Sequence, residues 1–560
     1  MKSPGRVPPP VFIAETYPVM KIFPAIGAVV LSLLLANATF AETLERVSIS
    51  SLQQSNAETN RPKAIHWGPN REKYSSWTTH SNRLIPVYTF GIDLGAFDGG
   101  NSIYRSEEKL EKLFGFVPTQ TVNPQAEYFD QTDVYRLQKQ AVESGKKRVI
   151  LFVCDGMDWQ TTWAAAIYKN GNVPYREGRG TGLHFQDYRG AKTDFGYFVT
   201  TPHNSGTDVN VNSQMVTSPG GSTPGGYDPT AGGEFPWSVP ADANYWIAKG
   251  ENTVHAYADS ASTATSMTAG VKTYNNAINV DYMGREVLPI ARQLQADGWK
   301  VGVVSSVPIC HATPAAAYAN NVHRYDYQDI TRDLIGRPSI YHPGALSGVD
   351  VLLAGGWGDE KKKDGKQGKN FVPGNPYLTA EDQQAIDVTH GGKYVVAQRT
   401  PGQTGKKVLE EGVATAIKEE HRLFGFFGVS GGHLPYQTAD GKYDPVAGAK
   451  SSGPTAAAEY TQEDIRENVT LADMSMAALD VLEAKGQPWW LMIEAGDVDW
   501  ANHSNNIDDS IGAVLSGDEA FHQVTQWIEK HGGWDDTCLI LTADHGHYLV
   551  VEDPEALAGQ

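Results

Sequence analysis

The chain has 560 residues, of which 40% are hydrophobic and 20% charged, a balance that excludes a disordered polymer and leaves enough apolar material for a large core. A formal net charge of −19 argues against nucleic acid or an anionic membrane surface as a partner. An acidic protein that acts on an anionic substrate must concentrate positive charge locally, and metal ions are the obvious means.

In chain order, Met20 to Ala41 reads as a secretory signal: Lys21, the apolar run Ile22 to Leu35, then Thr39-Phe40-Ala41 as a small-residue cleavage site before Glu42. An apolar run of about 14 residues is shorter than the roughly 20 needed to span a bilayer. The expectation is export, to a periplasm or the extracellular space, with no stable membrane insertion after cleavage. Residues 1–19, with Pro4, Pro8, Pro9 and Pro10, fit neither signal nor fold, so translation is expected to begin at Met20. Residues 1–41 are thus read as an upstream extension plus signal.

Residues 42–147 are polar and weakly periodic, with one helical stretch at Glu107 to Phe114. They read as a covering arm without assigned chemistry. A catalytic domain is expected over 148–560, with insertions at about 160–250 and 325–460. Arg148 to Cys154 is a continuous apolar run typical of a strand buried on both faces, and it ends in Asp155-Gly156-Met157. Open α/β sheets place ligands at such strand C-terminal ends. The Gly/Pro/Ser/Asn-rich stretch around Ser218 to Asp242 reads as a surface insertion or lid.

Asp259-Ser260-Ala261-Ser262 opens a small-residue helix that Gly270 can close. Ser260 therefore falls where unpaired N–H groups and the helix dipole favour negative charge, a place to form an alkoxide or hold phosphate. Taken alone, it could equally be an ordinary N-cap. A helix at Val287 to Ala296 and a strand at Val301 to Val307 follow. Further buried strands are predicted at Val349 to Ala354, Phe424 to Val429, Trp490 to Ile493 and Cys538 to Thr542, with helices at Leu471 to Ala484 and Asp518 to Lys530. The fold class is therefore α/β: a mostly parallel central sheet with helices on both faces. Three cysteines, Cys154, Cys310 and Cys538, all fall in or beside apolar runs and read as buried hydrophobes rather than a disulfide framework.

Chemistry gathers after the strands. His311-Ala312-Thr313-Pro314-Ala315 is followed by Arg324; Glu494 precedes Asp499 and His503; Thr542-Ala543 leads into Asp544-His545-Gly546-His547. Asp499 and His503 are four apart, which puts both on one helical face at a separation suited to one ion. With Asp155, Glu494 and Ser260, these residues form a carboxylate and imidazole set large enough for two zinc ions and a harder, oxygen-liganded ion.

This ordered set resembles the alkaline phosphatase family, over Arg148 to His547. The resemblance implies phosphomonoester hydrolysis at alkaline pH through a phosphoserine on Ser260, with two Zn2+ and one Mg2+. It implies that Asp155, Asp544 and His545 hold the zinc that activates Ser260, and that Asp499 and His503 hold the zinc facing the leaving group. It further implies that Asp155, Thr313 and Glu494 ligate magnesium with His311 close by, and that Arg324 clamps the phosphate oxygens. Small phosphate monoesters are the expected partners, no nucleic acid is expected, and a homodimer is the state the family suggests. A sulfatase would need Cys/Ser-x-Pro-x-Arg, which is absent around Ser260, and the superfamily's phosphodiesterases use threonine at the nucleophile; a catalytically weakened relic is the other alternative. In one respect the chain departs from the family, which completes the Asp499/His503 zinc site with a histidine well downstream of the Asp-His pair. The sequence stops fifteen residues after His545, so the expectation is either a truncated product, with weakened activity and zinc retention, or a substitute ligand such as His547 or His433.

Overall fold

The computed structural model describes residues 48–249, 254–450, 453–454 and 457–560. The predicted signal and translation start lie outside them. A ten-stranded mixed sheet organises the molecule. Its strands in chain order are β1 (Ile85–Phe90), β2 (Phe129–Asp130), β3 (Arg148–Cys154), β4 (Thr193–Val199), β5 (Lys300–Pro308), β6 (Val351–Gly355), β7 (Tyr394–Gln398), β8 (Arg422–Phe426), β9 (Trp489–Ala495) and β10 (Thr537–Thr542). Across the sheet they lie in the order β7-β8-β6-β5-β9-β3-β10-β1-β4-β2. Strand β1 runs antiparallel to both of its neighbours, β10 and β4. The remaining pairs are parallel.

The central strands are buried almost throughout, which requires cover on both sides. Two groups of helices provide it. Helices Trp159–Asn170, Gly405–Lys418, Leu471–Ala484 and Ile507–Lys530 pack together as one, while Thr132–Glu143, Ser260–Ala269, Ile290–Ala296 and Ala312–Ala316 form the other. In β3, Val149, Ile150, Leu151, Phe152 and Val153 are all fully buried, and each contributes about 1.5–3 kcal/mol. The expected architecture, a mostly parallel sheet between helical layers, is the one observed. The three cysteines are free and buried.

Three stretches differ from expectation. Residues within 42–147, read as a covering arm, also thread β1 and β2 into the main sheet; Pro86 inside β1 hides the strand signal, since proline demotes a strand reading. Residues within 325–460, read as an insertion, supply one whole flank of the sheet: β6 and β8, at the predicted strands Val349 to Ala354 and Phe424 to Val429, and β7, which was not predicted; β4 comes from the 160–250 stretch. The helix predicted from Asp518 begins instead at Ile507. Asn506 caps it, its Oδ1 accepting from the N–H groups of Asp508 (3.1 Å) and Asp509 (3.2 Å). Gly512 lies inside that helix and weakens its pattern, but a Cβ there would meet the Gln437 carbonyl oxygen at 1.9 Å. The glycine is there for close packing. Among the described residues no helix is long and apolar enough to cross a membrane.

Candidate active site

Because β3, β5, β9 and β10 are parallel, their C-terminal ends share one edge of the sheet. Asp155 follows β3, His311 and Thr313 follow β5, Glu494 stands at the end of β9 with Asp499 and His503 on the next helix (Asp497–His503), and Asp544 and His545 follow β10. Antiparallel β1 presents its N-terminal end at that same edge. The residues just before it, including His80, therefore arrive at the site too: His80 pairs with His547 and Ser81 with Gly546 in a short antiparallel bridge.

Two ligand-rich clusters result. In the first, ligand atoms of Asp155, Asp544 and His545 lie within 4.8 Å of one another; in the second, those of His80, Asp499, His503 and His547 do the same. The His547 Nε2 is 2.7 Å from Asp499 Oδ1, His503 Nε2 is 3.5 Å from that oxygen, and His80 Nε2 is 3.2 Å from His503 Nε2. The other nitrogen of His503 is held by the Thr78 carbonyl at 2.7 Å, which orients the ring as ligating histidines generally are.

Ser260 opens the Ser260–Ala269 helix, with Asp259 as N-cap accepting from Ser262 N at 3.0 Å. Its Oγ is 3.1 Å from His545 Nε2. That same nitrogen faces Asp155 Oδ1 at 3.2 Å, Asp544 Oδ2 at 3.6 Å and Asp499 Oδ1 at 3.7 Å, while His545 Nδ1 is buried without a partner among the described residues. A Ser-His-Asp relay would use both ring nitrogens, one for serine and one for carboxylate. Here everything converges on one, as around a cation. Thr263 Oγ1 donates to Asp544 Oδ2 at 3.0 Å and Gly156 N to its Oδ1 at 3.1 Å.

Arg324 is buried beside Ser260, its Nη1 donating to Asp259 Oδ2 at 3.1 Å. Asn276 N donates to both oxygens of Asp259 at 3.1 Å, so the loop after the helix pins the carboxylate that pins the arginine. Arg324 Nε is buried and has no hydrogen-bond partner among the described residues, so the guanidinium keeps donors in reserve. Beyond Asp155, Thr313 Oγ1 approaches Asp155 Oδ2 at 3.4 Å, and Glu494 accepts from Ser305 Oγ. His311 lines the same cavity, of about 460 Å³, with Ser260, Arg324, Asp499, His80 and His503.

The electrostatics fit divalent cations. Burial, reinforced by Asp499 and Glu494, pushes the Asp155 carboxyl well above its ordinary range. Burial and then Asp155 push Asp544 up to about 8, and burial pushes Glu494 up to about 7. For Asp499 burial acts in the same upward sense, but the imidazoles of His503, His547 and His545 hold it well below. Burial keeps His80 well below its usual value and takes His547 down to about 3, so both rings are neutral and able to ligate. Asp155 Oδ1 and Glu494 Oε1 are buried without hydrogen-bond partners among the described residues. Mixed nitrogen and oxygen donors suit zinc; the Asp155, Thr313 and Glu494 oxygens suit a harder ion such as magnesium.

All the residues singled out from sequence come to this edge. Of the two substitute ligands, His547 joins the Asp499/His503 cluster. His433 does not: its ring stacks on Tyr436 at 4.3 Å and its Nδ1 contacts the Leu434 carbonyl. His80 was not anticipated, nor were Thr263 and Ser305. A further group, His184, Glu519 and His522, lies at the surface, but its two rings stack face to face at 4.0 Å, so their in-plane lone pairs run side by side rather than converge.

The alkaline phosphatase family model matches residues 244–556, a span that holds Ser260, Arg324, Asp499 and Asp544 but neither Asp155 nor His80. Alkaline phosphatase 4 of Bacillus subtilis is 29% identical over 290 residues, covering 51% of this chain and 49% of its own. The alkaline phosphatase of Escherichia coli K12 is 27% identical over 309 residues, 54% of this chain and 60% of its own. The chain thus spans about half to three fifths of the length of these curated relatives. Among solved structures, the alkaline phosphatase of Thermus thermophilus is 22% identical with a TM-score of 0.42, covering 72% of this chain and 60% of its own. The cold-active enzyme of Shewanella sp. is 21% identical with a TM-score of 0.41, covering 71% and 68%.

Proposed function

The chain belongs to the alkaline phosphatase family, and from that premise we propose that it is an exported alkaline phosphatase that hydrolyses small phosphate monoesters through a phosphoserine on Ser260. The convergence of Ser260 Oγ, Asp155, Asp544 and Asp499 on the single nitrogen His545 Nε2 carries this reading. Asp155, Asp544 and His545 would hold one zinc ion; Asp499 and His503, with His80 and His547, a second; Asp155, Thr313 and Glu494 a magnesium ion. When bound, such ions stabilise the entering and leaving oxygens of an in-line phosphoryl transfer.

The chain's own residues do the rest. Ser260 Oγ gives up its proton to solvent and bonds to phosphorus while the bond from phosphorus to the ester oxygen breaks and that oxygen takes up a proton from water. Its place at a helix N-terminus favours the negative charge that develops there. Arg324 offers a planar fork to two non-bridging oxygens, and Asp259 keeps that fork turned toward Ser260. Water then cleaves the phosphoserine, returning Ser260 and releasing inorganic phosphate. His80, which reaches the site from upstream in the chain, would serve as a further histidine ligand of the Asp499/His503 zinc. A homodimer is part of the same proposal.

The test is hydrolysis of 4-nitrophenyl phosphate at alkaline pH by the full chain, with and without added zinc and magnesium, beside Ser260→Ala. Metal-dependent turnover that falls by at least about 10³-fold in Ser260→Ala supports the reading. Equal turnover in both proteins sinks it.

A further inference from the structure

We infer that the site accepts, in preference, phosphomonoesters whose leaving group carries a flat apolar ring, and that Trp500, Tyr325 and Tyr436 form the surface on which that ring rests. The inference deepens the phosphatase reading and rests on it. Ser260, Arg324, His80 and His503 line the same cavity as Tyr325, Tyr436, Trp500 and His311. All three of Tyr325, Tyr436 and Trp500 are half-buried, so each leaves ring surface open.

These rings are braced rather than loose. Trp500 meets His311 edge to face at 5.4 Å and His433 at 5.5 Å, and His433 stacks on Tyr436 at 4.3 Å. Tyr325 leans on Tyr327 at 5.9 Å, and Lys366 Nζ sits 4.1 Å over its ring. Trp500 is also one residue from Asp499 and three from His503 on one short helix, so its position relative to the phosphate end is fixed. A preorganised aromatic wall binds a ring with little further ordering cost. Charge points the same way. The charged residues lining this cavity besides its histidines are Asp259, Arg324 and Asp499, and the first two are engaged with each other. Among the described residues no lysine lines it to reward an ionic leaving group, and Lys366 lies over the Tyr325 ring rather than in the lining.

The experiment compares two non-hydrolysable ligands, benzylphosphonate and methylphosphonate, titrated calorimetrically into the zinc- and magnesium-loaded full chain, Trp500→Ala and Tyr325→Ala. Two variants are used because Trp500 neighbours Asp499, and methylphosphonate binding reports whether each variant keeps its phosphate end. The expected result is benzylphosphonate binding about tenfold or more tighter in the parent, with the ratio falling toward one in at least one variant while methylphosphonate affinity moves less than about threefold. Equal affinities in the parent, or a ratio that survives both substitutions, overturn the inference. Turnover of 2-phenylethyl phosphate against ethyl phosphate separates the two layers. Preferential binding without turnover leaves the wall standing and removes the phosphatase; turnover of both without preference removes the wall alone.

Discussion

Strands β3, β9 and β10 and the segment leading into β1 reach the same edge of the sheet from opposite directions. The parallel strands deliver their residues just after apolar runs, so Asp155, Glu494, Asp544 and His545 announce themselves by position. The β1 segment delivers His80 just before an apolar run, where the same rule does not look. The two regions are then laced together by antiparallel pairing: Leu539 to Thr542 with Phe90 to Val87, Gly546 and His547 with Ser81 and His80, Leu549 to Val551 with Trp67 to Ile65. As one segment advances, the other retreats, as in the two arms of one hairpin. The pairing thus brings a histidine from the earlier part of the chain beside Asp499, His503 and His547.

The largest effect expected from either region is at the parallel-strand side. His545→Ala removes the nitrogen on which Ser260, Asp155, Asp544 and Asp499 converge, and kcat/KM for an aryl phosphate should fall by about 10³-fold or more. A loss below tenfold in steady-state assays would contradict the central place given to that nitrogen.

His80→Ala tests the antiparallel side. It leaves Asp499, His503 and His547 in place, so zinc should still bind, but with affinity lowered by about 10–100-fold, and activity should return as free zinc is raised. His433→Ala serves as the contrast and should leave zinc retention in equilibrium dialysis unchanged. If the two variants behave alike, the structural distinction between them carries no chemistry.

Legibility followed physics. The sheet's centre was readable because strands buried on both faces leave long apolar runs, as in Arg148 to Cys154. The flanks were readable only in part: β6 and β8 were expected from the apolar runs Val349 to Ala354 and Phe424 to Val429, whereas β7 is a five-residue strand in a polar stretch and β1 carries Pro86. Asp499 and His503 were readable as a helical pair, and Ser260 by its helix start. His80 has no local partner of that kind; what brings it in is the direction of β1, a property of the assembled sheet. Thr263 and Ser305 are likewise ordinary in sequence, and acquire meaning only because Asp544 and Glu494 lie across from them.

Arg324→Lys should have a smaller effect than either histidine change. A lysine keeps the charge but loses the planar fork and the Asp259 contact geometry, so KM for a phosphate monoester should rise about tenfold with kcat changed less. An unchanged KM would mean that the guanidinium, though beside Ser260, does not bear on the phosphate.

The smallest effect on activity, and the sharpest test of how the early segment is fastened, concerns His255. It is buried, its Nε2 faces Thr121 Oγ1 at 3.2 Å and its Nδ1 faces Tyr245 OH at 3.1 Å, so it bridges the early segment to the chain just before Ser260. Burial lowers its pKa to about 4, against about 6.5 for a free imidazole. Between those values the unfolded chain binds more protons than the folded one, so stability rises with pH. The contribution is fully present above about pH 6.5 and is lost as pH falls toward 4, up to about 3 kcal/mol in all. His255→Gln keeps two hydrogen-bonding ends without a titrating group. Its melting temperature should therefore fall less steeply than the parent's between pH 6.5 and 4.5, while alkaline turnover stays within about twofold, because the residue is neutral there in either protein. Parallel pH profiles would show that the fastening of the early segment rests on the antiparallel ladder alone.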